Sequence, residues 1–125
     1  MPQLIAVVDD EAALRQAIRS LLRSAGFSDQ CFASAADLLR SDSVKRATGL
    51  ILDVHLPGMS GLELQQLMVA QGSRIPIVFI TGQDYANGRL QAQALQAGAV
   101  AFLRKPFHEE DLLDALKHVL PPSTE

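Results

Sequence analysis

The feature that most constrains this chain is a rhythm. Short unbroken apolar runs alternate with longer segments whose apolar residues recur at helical spacing. Leu4-Ile5-Ala6-Val7-Val8, Gly49-Leu50-Ile51-Leu52-Asp53 and Ile77-Val78-Phe79-Ile80-Thr81 stay apolar up to their ends. A strand with one wet face alternates polar and apolar residues, whereas an unbroken run belongs to a strand covered on both faces, the mark of a parallel sheet. Two more strands are expected near Ser28–Phe32 and at Ala101–Arg104. Between them, Leu14, Ile18, Leu21, Leu22 and Ala25 repeat as one face of a helix. Gly26 can close that helix in the left-handed conformation, with Phe27 folding back on Leu22. Ser34 and Asp37 signal a second helix start, and Ser60 with Glu63 forms a capping box for a third helix carrying Leu64, Leu67 and Met68. The turn pair Asn87-Gly88 places a fourth helix from near Arg89 to Gly98, with a thin stripe of Leu90, Ala94 and Ala97. A fifth follows Pro106 and carries Leu112, Leu113, Leu116, Val119 and Leu120. Five strands alternating with five helices predict an α/β fold: a doubly wound, five-stranded parallel sheet with helices on both faces. The 125 residues suit one domain, 1–120, followed by a tail or the start of a linker at 121–125.

Composition removes several functions. Arg and Lys are scattered and the net charge is −3, so no basic footprint for direct nucleic-acid binding exists. No apolar run reaches membrane-spanning length, and the N-terminus lacks the basic-then-apolar pattern of a signal peptide. The lone Cys31 cannot form an internal disulfide and reads as a small buried hydrophobe on a strand. A cytoplasmic location is expected.

The strand ends carry the chemistry. In open parallel sheets ligands bind beyond the carboxyl ends of the strands. The expected strand order, 2-1-3-4-5, is the flavodoxin-like one, taken from the repertoire of doubly wound folds. The first strand then ends in Asp9 and Asp10, the third in Asp53, the fourth in Thr81 and the fifth in Lys105. Carboxylates converging on one spot repel each other unless a cation intervenes, and oxygen-only donors favour Mg²⁺. His55, His108 and His118 are scattered, with no zinc-type set. Mg²⁺ held by a few carboxylates commonly serves phosphate chemistry. Asp53, alone at its strand end, suits a nucleophile toward phosphorus, with Asp9 and Asp10 as cation ligands, Thr81 as hydroxyl donor and Lys105 as a mobile point charge.

Asp9-Asp10-Glu11, Asp53 followed by Leu56-Pro57-Gly58-Met59-Ser60-Gly61, Thr81-Gly82 and Lys105-Pro106-Phe107 together resemble the receiver domain of two-component response regulators. The resemblance runs from Leu4 to about Leu120. Ile80-Thr81-Gly82, Ala97-Gly98-Ala99 and the run from Phe102 to Phe107 resemble the FixJ-type subgroup most. It implies that Asp53 is the phosphoacceptor, that Asp10 binds Mg²⁺ directly (Mn²⁺ able to substitute) and that Asp9 helps through water. The His55 backbone carbonyl is implied as third protein ligand. Thr81 and Lys105 are implied to grip the phosphoryl group, and Phe102 to turn as Thr81 moves. It further implies a cis peptide before Pro106, which proline makes tolerable; a helix-start proline is the other reading of that residue. The implied phosphodonor is a sensor histidine kinase, a phosphotransfer protein or a small acyl phosphate. The implied output is a changed face of fourth helix, fifth strand and fifth helix that promotes homodimerisation or controls a transcriptional output domain. No contact of this domain with nucleic acid or membrane is implied. The domain would catalyse only its own phosphoryl transfer and slow dephosphorylation, and is not a turnover enzyme. One departure stands out: the stretch from Thr81 to Lys105 is slightly long, with the excess at Gln83–Gly88, which leaves partner specificity and dephosphorylation rate open.

Three rivals compete. A receiver-fold interaction module indifferent to phosphorylation would commonly lose the acid pair, Asp53 or Lys105, and all are present. An aspartate-based phosphatase of the haloacid dehalogenase class wants a second Asp two residues after the nucleophile, where His55 stands. A flavodoxin needs a Ser/Thr-rich phosphate loop after the first strand, where Asp9 and Asp10 would repel phosphate. Walker and dinucleotide glycine motifs are absent.

Overall fold

Each of the five expected strands is present in the computed structural model, which describes residues 3–82 and 88–119. They are β1 (Leu4–Val8), β2 (Ser28–Phe32), β3 (Gly49–Asp53), β4 (Ile77–Thr81) and β5 (Ala101–Arg104). All neighbours pair in parallel, in the order β2-β1-β3-β4-β5. The unbroken runs have the expected cause: every residue of β3 and β4 is buried, while the edge strands β2 and β5 are only half-buried.

Strand alternation feeds two separate cores. Ala6, Val8, Leu50, Leu52 and Phe79 face one side, against Leu38, Leu64, Met68 and Ala94. Ile5, Val7, Ile51, Val78 and Ile80 face the other, against Ile18, Leu22, Leu112 and Leu116. These helical residues come from α1 (Ala12–Ser24), α2 (Ala35–Leu39), α4 (Gly61–Ala70), α5 (Arg89–Gln96) and α6 (Glu109–Val119).

The predicted caps form. Gly26 adopts φ +92° and its N–H donates to Arg23 O at 3.1 Å, while Phe27 N–H donates to Leu22 O at 2.9 Å, closing α1 as a Schellman motif. Ser34 Oγ accepts from Asp37 N at the start of α2. At α4, Glu63 N donates to Ser60 Oγ at 3.1 Å and Ser60 N donates to Glu63 Oε1 at 2.9 Å, completing the capping box.

Four expectations need correction. The second crossover is not one helix, because a short α3 (Ser43–Arg46) follows α2 and makes six helical segments among the described residues. Ser41 Oγ donates to Leu38 O at 2.7 Å and accepts from Ser43 N at 3.1 Å, and these local bonds compete with continued helix. Ala25 and Ala97 lie at helix ends and are exposed rather than core. Cys31 is only half-buried, because β2 is an edge strand. The helix-start reading of Pro106 fails, because Pro106 precedes α6 by three residues, outside its first turn, whereas the expected cis Lys105–Pro106 peptide is present. Residues 83–87 of the long segment, Leu120 and the tail 121–125 lie outside the described residues. Among the described residues, no helix is long and apolar enough to cross a membrane.

Candidate functional site

The sheet ladder carries the site residues to one rim. Asp9 N donates to Phe32 O at 3.1 Å, which extends the β1–β2 ladder one residue past β1. Asp53 pairs with Ile80, and Val54 N–H continues the ladder to Ile80 O at 3.0 Å. Lys105 N donates to Thr81 O at 2.7 Å and so begins just where β5 ends. Backbone bonds thus hold Asp9, Asp53, Thr81 and Lys105 before any side chain contributes.

The three acids meet. Oxygens of Asp9, Asp10 and Asp53 lie within 4.8 Å of one another. Asp9 and Thr81 are fully buried, Asp53 is 3 % exposed, and Asp10 is exposed. Each buried carboxylate has one oxygen bound to backbone and one turned inward. Asp53 Oδ1 accepts from His55 N at 3.0 Å, and Asp9 Oδ1 accepts from Glu11 N at 2.8 Å. The inward oxygens share a single amine: Lys105 Nζ lies 3.1 Å from Asp9 Oδ2 and 3.2 Å from Asp53 Oδ2.

The electrostatics follow. Burial pushes the Asp53 carboxyl above its ordinary range; the His55 N–H opposes the shift, the Asp9 charge adds to it, and Lys105 opposes it only in part. Burial alone would depress the Lys105 amine, but its hydrogen bond to Asp9 and the charges of Asp53 and Asp9 outweigh it and raise the pKa. One ammonium cannot balance three carboxylates. The donor set is all oxygen, so a hard divalent cation fits the cluster.

Two contributors went unassigned in the sequence. Glu11 Oε1 is a third acceptor for Lys105 Nζ, at 3.4 Å, and Arg15 Nη1 donates to the Asp9 carbonyl at 2.7 Å. Glu11 directly follows the acid pair, and Arg15 stands one helical turn later, a spacing that could have flagged both. His55 and His108 are exposed and contribute no side chain to the cluster; the side chain of His118 is outside the described part. Among the described residues Gly61 has a steric role: its N–H donates to Val54 O at 2.9 Å, and a Cβ there would collide with the Asp53 carbonyl oxygen. The start of α4 therefore rests directly on the backbone of Asp53.

Phe102 sits opposite Phe79 in the β4–β5 register, with ring centroids 6.2 Å apart, and Thr81 lies two residues beyond Phe79. Thr81 and Phe102 thus share one face of the sheet as diagonal neighbours.

The rim of acids, hydroxyl and lysine on this sheet order has counterparts in known proteins. The family model for the response regulator receiver domain matches residues 5–117. The chain belongs to the response regulator receiver family. The receiver is 42% identical over 117 residues to response regulator protein TmoT of Ectopseudomonas mendocina, covering 94% of this chain and 52% of TmoT. It is 40% identical over 112 residues to transcriptional regulatory protein FixJ of Bradyrhizobium diazoefficiens, covering 90% of this chain and 53% of FixJ. The structure of response regulator StyR superposes on this receiver with a TM-score of 0.87 at 42% identity, covering 96% of this chain and 60% of that one. The receiver spans about half the length of the curated relatives it matches.

Proposed function

We propose that this receiver is a Mg²⁺-dependent phosphorylation switch in which Asp53 accepts a phosphoryl group from a phosphohistidine or a small acyl phosphate. The observation that carries the reading is the seating of Asp53: a buried carboxylate with one oxygen fixed by the His55 N–H and the other facing Lys105 and Asp9. In the transfer, an Asp53 oxygen forms a bond to phosphorus as the bond from phosphorus to the donor's nitrogen or oxygen breaks, and the donor leaves with that electron pair. Lys105 already donates to Asp53 Oδ2 and needs only a small shift to reach a phosphoryl oxygen on it. The Thr81 hydroxyl donates to a second phosphoryl oxygen. Asp9, Asp10, Asp53 and the His55 carbonyl would hold Mg²⁺ or Mn²⁺, which supplies charge neutralisation at the phosphoryl oxygens.

Movement of Thr81 toward the phosphoryl group frees space on its sheet face, and Phe102 turns into it. The face of α5, β5 and α6 then changes, as a shift between two packings biased by the new charge. That face would serve homodimerisation or control of an output domain, and the half-length match to its relatives leaves room for a transcriptional output in the whole protein. The cognate donor would be a sensor histidine kinase or a phosphotransfer protein. The domain acts on itself alone, without turnover of a second substrate. Incubation with acetyl phosphate and Mg²⁺, read by intact mass, should add one phosphoryl group, with none after EDTA or in Asp53→Asn. Addition that persists in Asp53→Asn would overturn the assignment.

A further inference from the structure

Helix α5 is thinly anchored. Ala94 is its one buried residue, Leu95 is 42% exposed, and its N-cap Gly88 makes no side-chain cap bond. Its C-terminal turn closes with Gly98 at φ +105°, Gly98 N donating to Leu95 O at 3.1 Å and Ala99 N donating to Ala94 O at 3.0 Å. Ala94 O, already held by the Ala99 amide, has a second lone pair, and a neighbouring helix supplies a donor to it. Gln65 of α4, 1% exposed, donates from Nε2 to Ala94 O at 3.0 Å. Gln65 lies beside Leu64 and Met68, both buried, where an apolar side chain would avoid the desolvation of an amide. What the amide adds at this position is the bond to α5.

The N-terminal end of α4, one turn before Gln65, is tied as well, since Gly61 N–H bonds Val54 O directly after Asp53. A single rigid helix therefore joins the Asp53 turn to the last turn of α5. We propose that Gln65 is a positioning residue: it fastens the C-terminal end of α5 in the resting domain and relays displacement of the Asp53 turn to the α5–β5–α6 face, alongside Thr81 and Phe102. The relay rests on Asp53 being the phosphoacceptor; the fastening does not.

Amide hydrogen exchange on the whole chain tests both. Gln65→Met keeps the reach and removes the donor, with Gln65→Leu as a second variant should the first fail to fold. Without ligand, the Gly98 and Ala99 amides should exchange about five- to tenfold faster in the variant, the loss of one hydrogen bond, while sheet amides such as Ile51 and Val78 stay unchanged. Equal rates, or a uniform rise that includes the sheet, would overturn the fastening. With Mg²⁺ and beryllofluoride, exchange at Gly98 and Ala99 should rise in the natural protein and rise less in the variant. Equal rises overturn the relay. No response anywhere in the natural protein overturns the phosphoacceptor reading, and the ligand-free rates still decide the fastening.

Discussion

Replacement of Gly61 by alanine should damage both stability and chemistry, through one added methyl group. An ideal Cβ at this position runs into the Asp53 carbonyl oxygen, with the Asp53 carbonyl carbon and Val54 Cα both at 3.0 Å. Comfortable carbon contacts lie at about 3.5–4.0 Å, so α4 and the β3 end must part by at least roughly 0.5 Å. All three obstacles are backbone, and none can turn aside as a flexible side chain would. Forced overpacking of this kind costs about 1–3 kcal/mol. Alanine returns about 0.4–1 kcal/mol by restricting the unfolded chain. The net loss is about 1–2 kcal/mol, which for a domain of this size lowers Tm by roughly 4–8 °C. The displaced backbone is that of Asp53 itself, and misplacement approaching 1 Å can slow a positioned reaction about 100-fold. Calorimetry together with a time course of acetyl phosphate labelling reads both effects. A Tm and a labelling rate equal to those of the natural protein would refute the steric reasoning.

Other outcomes follow from the buried charges. Asp53→Asn should raise Tm in metal-free buffer at neutral pH. A carboxyl whose native pKa is raised contributes stability that is present below its unfolded value, near 3.8, and is lost as pH rises through the native value, so at pH 7 ionised Asp53 is a net cost. Calorimetry at pH 3 and pH 7 should show the variant's advantage only at the higher pH. Lys105→Ala leaves two buried carboxylates facing each other and should lower metal-free stability by about 3–5 kcal/mol; urea melts should show Mg²⁺ restoring much of it. The same variant should still accept some phosphoryl group yet show no change on the α5–β5–α6 face by hydrogen exchange. Mg²⁺ at 100 times its Kd should stabilise the natural domain by about 2.7 kcal/mol, and an unmoved melting curve would contradict a cation at the acid cluster. Beryllofluoride with Mg²⁺ should shift gel-filtration elution toward a dimer, and unchanged elution would count against homodimerisation.

The strands were legible because physics left the central ones no choice. Buried on both faces, β3 and β4 had to be apolar up to their terminal Asp53 and Thr81, and their unbroken runs announced both their position and the parallel sheet. The acid cluster was legible for a related reason, since short strands with clear ends put Asp9, Asp53, Thr81 and Lys105 at countable positions on one rim. The break between α2 and α3 was not, because it depends on whether the Ser41 hydroxyl bonds locally or faces water. Gln65 gains its partner from a carbonyl 29 residues away. Spacing along a chain does not encode such meetings. They appear only when the sheet order and helix packing are known.

The sheet is also a bulkhead. Alternate residues of each strand supply two apolar compartments that share no side chain, with α1 and α6 on one side and α2, α4 and α5 on the other. Substitutions at Leu22 and at Leu64 therefore act on different packing problems, and their costs should sum with little interaction. The two compartments adjoin at the β5 edge, where α5 of one and α6 of the other flank the same strand, so a change of the α5–β5–α6 face is felt by both, while the packing of Leu22 and of Leu38 toward the β2 edge can vary separately.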